Sequence, residues 1–441
     1  MEPRKKVKRF EKIGHTHFVR VPVVWFFSAL LMIAGLTLAL WSAERGRAVH
    51  MQVKNAGDFG ALLPSIVGLT QSSLERGNRV QLLENGDGFF PLLLRDIAAA
   101  RESIHIESYI WWEGTICDEV AAALAAKAKQ GVEVRLLVDA SGGRKMKKEL
   151  RQMMLAAGCQ VREFHPIRFS NLGRLNNRDH RKEMIIDGRV GYLGGYGFAK
   201  EWTGNGQDKD HWRDTGVRVE GPIVSRMQSA FCENWIEETG EIPAGLKYFP
   251  PPSGPEGPSV AHLAYTSPTG AVSSVQVLYY LAITSAKKSI LIQNPYMLPD
   301  DDALEALGDA VKRGVDVTIM VPATASTDSP IVQHASHHQF GEMMKAGVKI
   351  WEFQRTLLHQ KVIVVDGVWS CVGSTNFDDR SFQLNDEISM GILDPQLAAQ
   401  LTAAFESDRR FAKERTLEEW KRRSVWHKMM DGLAYLGSSQ L

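Results

Sequence analysis

The feature that most constrains the fold is an internal duplication. Each half of the chain carries an apolar strand, a helix and a second apolar strand in the same order, followed by one more matching segment. Strand–helix–strand units with near-continuous apolar strands predict a largely parallel sheet with helices on its faces. We therefore predict an α/β protein with two pseudo-symmetric domains, each a mixed, largely parallel sheet flanked by helices. The matching segments are Ser103–Trp112, Ile116–Gly131, Val132–Ser141 and Leu155–Phe164 in the first half, and Ser289–Leu298, Asp301–Gly314, Val315–Thr324 and Met344–Phe353 in the second.

The N-terminus predicts a membrane anchor. Residues 1–20 are rich in lysine and arginine, and residues 21–41 contain no charged side chain. A transmembrane helix needs about 20 apolar residues, and this run is longer than a signal-peptide core. We predict a basic cytoplasmic tail followed by a single transmembrane helix, with the remainder on the outer or periplasmic face. A cleaved signal peptide and a buried core helix are the alternatives.

The rest of the chain divides at changes in composition. The C-terminal stretch Arg415–Leu436 is basic and amphipathic, which fits a helix packed on the domain or one lying at a membrane surface. The predicted segments are a juxtamembrane segment (42–77), a first domain (78–245), a Pro/Gly-rich linker (246–262), a second domain (263–425) and a C-terminal tail (426–441).

Composition and cysteine spacing exclude several classes of site. The net charge is +1, which argues against broad nucleic-acid binding because phosphate contacts need a basic face. The four cysteines lie far apart, so they predict buried thiols rather than a zinc or redox site. His334 and His338 have a spacing that suits a metal on a helix, but the sequence shows no acidic ligand beside them. We predict no metal and no cofactor.

One motif occurs once in each half and carries the predicted chemistry. Residues i and i+2 of a strand face the same side, so each histidine and its lysine point into one pocket. The small residues after the Asp predict backbone N–H groups close to an anion, and Asn376 adds a neutral donor. These groups suit a phosphodiester held without metal. The positions are His180, Lys182, Asp187, Gly194 and Gly195, then His359, Lys361, Asp366, Gly373 and Ser374.

Both copies resemble the HKD motifs of the phospholipase D superfamily. The stretches Tyr109–Gly114, His211–Pro222, Ala346–Phe353 and Gly373–Glu387 are similar to bacterial cardiolipin synthases in particular, and the likeness covers about residues 78–425. The resemblance implies a transphosphatidylase in the bacterial inner membrane with phospholipid substrates, phosphatidylglycerol first among them. The sequence makes no prediction of the oligomeric state.

The resemblance also implies roles for the two histidines. A neutral His180 attacks phosphorus and forms a phosphohistidine, while a protonated His359 gives a proton to the leaving alcohol and then activates the acceptor. An imidazole pKa near 6.5 makes both protonation states accessible. The pseudo-symmetry leaves the reverse assignment open. Hydrolysis to phosphatidic acid is the alternative reaction, and a lipid- or partner-binding protein without turnover is the alternative class.

Other positions of the motif have supporting roles. Asp214 and Glu387 are candidates for the carboxylates that orient the histidines. From Asp187 and Asp366 we expect structural hydrogen bonds rather than chemistry. The family pattern has Asn where this chain has Gly197. The loss of one neutral donor costs on the order of 10²-fold in rate if nothing replaces it, so we expect Gly197→Asn to raise turnover if that donor limits the rate.

Overall fold

The computed structural model of the protein describes residues 25–37, 50–53, 57, 59–166, 176–252, 254, 256–268 and 272–438. Helix α1 covers residues 25–37 and belongs to the first of two units, which ends at His50. The predicted basic tail, and residues 21–24 and 38–41 of the predicted anchor, lie outside the described residues. Of the helices in the described part of the chain, none is both long and apolar enough to span a bilayer. The anchor stays a prediction.

The second unit, Met51–Leu441, contains the remaining helices and all the described strands. Its helices are α2 (Phe59–Leu69), α3 (Asn85–Ala99), α4 (Thr115–Lys129), α5 (Lys148–Ala156), α6 (Val224–Thr239), α7 (Ser274–Ser285), α8 (Asp301–Lys312), α9 (Pro330–Lys345), α10 (Asp379–Gln383), α11 (Pro395–Arg409), α12 (Leu417–Lys421) and α13 (Val425–Tyr435). Its strands are β1 (Glu75–Glu84), β2 (Ser103–Ser108), β3 (Glu133–Asp139), β4 (Gln160–Phe164), β5 (Arg178–Asp179), β6 (Lys182–Ile186), β7 (Val190–Gly194), β8 (Thr215–Glu220), β9 (Ser259–Thr266), β10 (Ser289–Gln293), β11 (Asp316–Pro322), β12 (Lys349–Phe353), β13 (Val362–Val365), β14 (Trp369–Gly373), β15 (Asn385–Leu393) and β16 (Ala412–Arg415).

One continuous sheet runs through both repeats. Its order is β16-β12-β11-β10-β13-β14-β15-β9-β1-β8-β7-β6-β2-β3-β4, and β5 pairs with β15 off this path. Apart from the extra edge strand β16, the two sides of the central β9–β1 pair have the same arrangement. The order β12-β11-β10-β13-β14-β15-β9 on one side corresponds to β4-β3-β2-β6-β7-β8-β1 on the other. The first repeat contributes β1 to β8 and the second contributes β9 to β16. The mixed α/β class and the two pseudo-symmetric repeats predicted from the sequence are therefore confirmed.

The prediction that the sheet is largely parallel is wrong. Strands β2–β3–β4 and β10–β11–β12 pair in parallel, as the strand–helix–strand units require, and so does the short β5–β15 pair. The other described pairings are antiparallel. Two of these antiparallel pairings, β6–β7 and β13–β14, follow from the turns after β6 and β13. Asp187 and Gly188 have φ values of 53° and 61°, and Asp366 and Gly367 have 54° and 66°. Two central residues with positive φ form the tight turn that joins antiparallel strands.

Three large hydrophobic clusters, and a small fourth one that includes Phe405 of α11, hold the helices on this sheet in the described part of the chain. One belongs to the first repeat and contains the apolar side of α3 and α4, and one belongs to the second and contains the apolar side of α7 and α8. A third joins the repeats, since it combines Val217 and Leu193 with Val372 and Ile388 between α6 and α11. Helix α2 packs on the second repeat, and β1 and β9 begin within the predicted juxtamembrane segment and linker. The domain boundaries themselves stay predictions.

Candidate active site

The two histidines lie where each repeat crosses onto the other. His180 stands between β5 and β6, and its backbone N–H donates to the carbonyl oxygen of Asp386 at 2.9 Å. His359 precedes β13, and its backbone N–H donates to the carbonyl oxygen of Arg213 at 2.8 Å. Each histidine is therefore fixed to the main chain of the opposite repeat. This crossing brings the two copies of the motif into one site.

The orienting carboxylates cross in the same way. The Nδ1 atom of His180 lies 2.9 Å from Oε1 of Glu387, which belongs to the second repeat. The Nδ1 atom of His359 lies 2.8 Å from Oδ2 of Asp214, which belongs to the first. A carboxylate on one ring nitrogen fixes the tautomer and the orientation of the ring. His180 therefore keeps Nε2 as the nitrogen available for chemistry, whereas Nε2 of His359 lies 3.0 Å from Lys361 Nζ.

Different neighbours hold the two carboxylates. Glu387 accepts hydrogen bonds from the Ser374 hydroxyl and from Asn385 Nδ2 at 3.2 Å. Asp214 accepts hydrogen bonds from Trp202 Nε1 and from the Thr215 backbone N–H, both at 2.8 Å. The site is thus symmetric in layout but not in the groups that surround each pair.

Gly195 is required by the position of Asp214. A Cβ atom on Gly195 would lie 2.4 Å from Asp214 Oδ1 and 2.6 Å from Oδ2, so a side chain at residue 195 would displace the carboxylate. The matching residue of the second repeat is Ser374, whose hydroxyl instead donates to Glu387. The difference between the G-G and G-S endings of the two motif copies therefore reflects how each repeat holds its acid.

The two lysines are buried beside their histidines. Lys182 Nζ donates to the backbone oxygen of His180 at 2.8 Å, and Lys361 Nζ donates to that of His359 at 2.7 Å. Burial lowers the pKa of Lys182 to about 8 and that of Lys361 to about 7, although the nearby carboxylates oppose the shift. An anionic ligand such as a phosphate would stabilise the charged form of both lysines, because its negative charge offsets the cost of burying them.

The two histidines differ in how strongly their protonation is opposed. Burial and the charges of Lys182 and Lys361 hold the pKa of His180 well below its usual range. Burial and Lys361 also lower the pKa of His359, but Asp214 works against that shift. Burial raises the pKa of Glu387 to about 7, so Glu387 stabilises a charged His180 less than an ionised acid does. His180 is therefore the more strongly neutral of the two rings.

The motif aspartates lie at the opposite end of their strands. The Asp187 carboxylate accepts hydrogen bonds from the backbone N–H groups of Arg101, Glu102 and Ser103 at 2.9, 2.7 and 2.9 Å. Asp366 accepts three from residues 287–289 at 3.0, 2.7 and 3.0 Å. Each carboxylate thus ties the start of one parallel strand, β2 or β10, to the hairpin that carries the motif.

The predicted anion contacts of the small residues are wrong for Gly373 and Ser374. Their backbone N–H groups donate to the carbonyl oxygens of Lys361 at 3.3 Å and Ile388 at 2.8 Å, so they are not turned to a ligand. A Cβ atom on Gly373 would lie 2.4 Å from Ile388 O, and one on Gly194 would lie 2.7 Å from Gly216 Cα. These glycines let neighbouring strands approach. Asn376 is buried, and its Oδ1 has no hydrogen-bond partner among the described residues. Because an amide oxygen accepts hydrogen bonds, only the Nδ2 atom of Asn376 can donate to an anion.

Trp202 occupies the space beside Gly197. A Cβ atom on Gly197 would lie 3.0 Å from Ile110 Cβ and 3.1 Å from Cζ3 and Cη2 of the Trp202 ring. The same indole donates its Nε1–H to Asp214, and its ring meets the His359 ring edge-on at 5.3 Å between centroids. The asparagine missing from the first motif copy is therefore replaced in space by an indole that supports the acid beside His359.

Other aromatic residues of the site were not found from the sequence. Tyr109, half-buried, meets the His180 ring edge-on at 5.1 Å and lies 5.4 Å from Lys182 Nζ. Trp212 lies 5.5 Å from the His359 ring. Trp111 is fully buried in the core, whereas Trp112 is partly exposed. Tyr109 and Trp212 could have been proposed as site residues from the sequence, since both lie in stretches that carry the family resemblance.

The histidine cluster on α9 has an acidic neighbour that the sequence did not reveal. Asp431, on α13, lies close to His334 and His337, and its Oδ1 is 2.8 Å from His334 Nδ1. Arg423 Nη1 donates to the other oxygen of Asp431 at 2.6 Å. A guanidinium on the same carboxylate opposes a bound cation. His338, the other member of the predicted pair, stacks on Tyr435.

Comparisons with known proteins agree with this geometry. The family model described as "Cardiolipin synthase, PLD-like domain" matches residues 93–235 and 279–409. Cardiolipin synthase 1 of Staphylococcus epidermidis is 34% identical over 366 residues, which are 82% of this chain and 74% of that protein. The major cardiolipin synthase ClsA of Bacillus subtilis is 34% identical over 363 residues, 81% of this chain and 74% of that protein. A crystal structure of phosphatidylserine synthase from Haemophilus influenzae has the same fold, with a TM-score of 0.64 at 13% identity over 85% of this chain and 98% of that chain.

Proposed function

Because the chain belongs to the phospholipase D-like family of cardiolipin synthases, we propose that it moves a phosphatidyl group from phosphatidylglycerol to the hydroxyl of a second phospholipid. A covalent phosphohistidine links the two halves of the reaction. The observation that carries the proposal is the pair of buried histidines, each with Nδ1 held by a carboxylate of the opposite repeat.

In the first step, His180 Nε2 attacks phosphorus and the bond from phosphorus to the glycerol oxygen breaks. The neutral state of His180 supports this role, because a protonated ring has no lone pair to give. His359 donates the proton that the leaving glycerol takes up. Burial and Lys361 lower the pKa of His359, and Asp214, which opposes that shift, is the group that favours the charged ring. Lys182, Lys361 and Asn376 stabilise the anionic phosphoryl oxygens in the transition state.

In the second step, His359 is neutral and takes the proton from the hydroxyl of the second lipid. That oxygen attacks phosphorus, the bond from phosphorus to His180 Nε2 breaks, and His180 returns to its starting state. Two molecules of phosphatidylglycerol give one cardiolipin and one glycerol. One phosphodiester replaces another, so the reaction needs no nucleotide.

Water competes with the lipid hydroxyl for the phosphohistidine. The burial of both histidines and both lysines supports transfer, because a site that excludes water disfavours hydrolysis. An anchor at residues 21–41 in the bacterial inner membrane, with the catalytic part on the outer face, completes the proposal by supplying lipid hydroxyls at high local concentration.

A product assay tests the proposal. Purified full-length protein is incubated in mixed micelles with phosphatidylglycerol labelled in its headgroup and acyl chains. Cardiolipin and free glycerol are expected, and His359→Ala should form neither. Phosphatidic acid as the main product would show a hydrolase instead. Absence of any product, together with tight lipid binding, would refute both enzymatic functions.

A second measurement assigns the nucleophile. Denaturing the enzyme rapidly during turnover should trap an acid-labile phosphatidyl group on the peptide that contains His180. His180→Ala should abolish the adduct, while adduct on the peptide of His359 would reverse the two roles.

A further inference from the structure

The apolar side of helix α13 is exposed on the surface of the protein. Its described apolar residues include Val425, Trp426, Met429 and Leu433, with relative exposures of 82, 65, 44 and 55%, and Leu436 follows at 83%. At 3.6 residues per turn these positions share one side of the helix. The single buried residue of α13 is an acid, Asp431. A helix of a globular protein normally has the reverse arrangement.

Polar contacts fix this orientation. Asp431 lies 2.8 Å from His334 Nδ1 and accepts a hydrogen bond from Arg423 at 2.6 Å. Tyr435 stacks on His338 with 4.4 Å between ring centroids, and its hydroxyl accepts from Gln339 Nε2 at 3.3 Å. Rotating α13 to bury its apolar side would break the Asp431 contacts. The exposure of the apolar side of α13 is therefore fixed by specific contacts of its polar side.

The charges around this side indicate what covers it. Three exposed cations, Lys421, Arg422 and Lys428, lie on or next to α13 together with two exposed acids, Glu418 and Glu419, so the local charge is positive. Apolar side chains flanked by cations suit a surface with a hydrocarbon interior and anionic headgroups. A symmetric contact with a second copy is disfavoured, because a two-fold interface would bring these cations against themselves.

The position of the helix relates it to the active site. Helix α13 packs along α9, which begins at Pro330, close after Asp328. The charge of Asp328 acts on both His359 and Lys361, so the segment leading into α9 lies near the catalytic groups. A membrane contact at α13 would hold this part of the molecule at the lipid surface.

We propose that the outward side of α13 is an interfacial membrane-binding surface for anionic phospholipid, which holds the active site against the bilayer that contains its substrates. The bearing on catalysis rests on the proposed function, whereas the contact between α13 and lipid does not.

Site-directed fluorescence tests the contact in the full-length protein. Leu433→Cys carries an environment-sensitive label, and Leu246→Cys, at a residue that is 76% exposed, is the matched control. The native cysteines are all buried, which limits background labelling. The protein is reconstituted in vesicles of phosphatidylglycerol and phosphatidylcholine that contain a nitroxide-labelled lipid. We expect a blue shift and quenching at residue 433 and neither at residue 246.

Quenching at residue 433 no greater than at residue 246 would overturn the proposal. Efficient disulfide-forming cross-linking of two copies through Leu433→Cys would also overturn it, in favour of a second copy as the occupant. Persistence of the quenching in vesicles of phosphatidylcholine alone would overturn the preference for anionic lipid.

Activity measurements separate this inference from the proposed function. The double variant Trp426→Asp and Leu433→Asp should lose about tenfold or more of its activity on lipid in vesicles, because two apolar side chains lose their contact with hydrocarbon. Its activity on short-chain phosphatidylglycerol dispersed as monomers should match the unchanged protein. Equal losses on both substrates would show a structural role and overturn the proposal. An enzyme that is inactive on both substrates but still quenched at residue 433 would refute the proposed function and support the membrane contact.

Discussion

The indole of Trp202 gives the sharpest test of the active-site geometry. Its Nε1–H donates to Asp214 at 2.8 Å, and Asp214 in turn holds His359. Trp202→Phe removes that donor and keeps an aromatic ring in the core. A hydrogen bond to a charged group contributes about 1.5 to 3 kcal/mol, and each 1.36 kcal/mol is a factor of ten in rate. If the bond acts fully in the transition state, kcat falls by about 10- to 150-fold.

Trp212→Phe is the matched control. Trp212 lies at a similar distance from the His359 ring, 5.5 Å against 5.3 Å for Trp202, but no hydrogen bond from its indole to Asp214 is present. We expect kcat close to that of the unchanged enzyme for Trp212→Phe. KM should change little in Trp202→Phe, since the indole is fully buried and touches the acid. Equal losses in the two variants, or full kcat in Trp202→Phe, would refute the argument.

The same contact reverses the expected effect of Gly197→Asn. The sequence alone predicts a gain in turnover from a restored donor. In the structure, a Cβ atom at residue 197 already lies 3.0 Å from Ile110 Cβ and 3.1 Å from the Trp202 ring, so a longer side chain must push on the indole that donates to Asp214. We expect kcat to fall, and the combined Gly197→Asn and Trp202→Phe variant to lose less than the product of the two single losses. A rise in kcat for Gly197→Asn would show that the missing donor matters more than the indole.

Three further predictions concern other parts of the site. In Glu387→Gln, formation of the phosphohistidine should slow by about tenfold or more, measured by rapid quench, because the amide no longer fixes the tautomer of the nucleophile; an unchanged rate would contradict the paired arrangement. Lys361 and Lys182 have pKa values of about 7 and 8, and the cation is the form that binds phosphate, so kcat/KM should fall as pH rises through that range; a profile that stays flat to pH 9 would contradict it. In Asp366→Ala, three backbone N–H groups lose their acceptor, so the free energy of unfolding should fall by about 1 to 3 kcal/mol, whereas a thermal unfolding temperature equal to that of the unchanged protein would contradict this structural role.

The residue types of the site were predictable, but their partners were not. Spacing and resemblance identified His180, His359, Asp214 and Glu387 from the sequence. Alternation along a strand shows which residues share a face of one strand, and it carries no information about which repeat lies opposite. The crossed pairing of His180 with Glu387 depends on the short β5–β15 contact. Strand β5 has only two residues, which are too few to show a sequence pattern.

The antiparallel direction of these strands could have been predicted from a hairpin pattern in the sequence. Each motif aspartate is followed by glycine between two apolar runs, which is a strong hairpin pattern. The sequence prediction assigns structural hydrogen bonds to Asp187 and Asp366 but no hairpin to the residues that follow them. The contact between Trp202 and Gly197 had no such signal, because the packing of an indole against a glycine in another segment follows from the whole fold.

The crossed carboxylates explain why both copies of the motif are needed. Each repeat supplies a histidine and the acid that serves the other repeat, so neither half contains a complete oriented histidine. The fold alone would make the two histidines equivalent, yet the proposed reaction needs one neutral and one charged ring. The acids differ: Asp214 favours a charged His359, whereas the pKa of Glu387 is raised to about 7 by burial. We therefore attribute the difference between the two roles to the acids and their neighbours, Trp202 beside Asp214 and Ser374 beside Glu387. Exchanging those neighbours should alter which histidine takes which role without altering the fold.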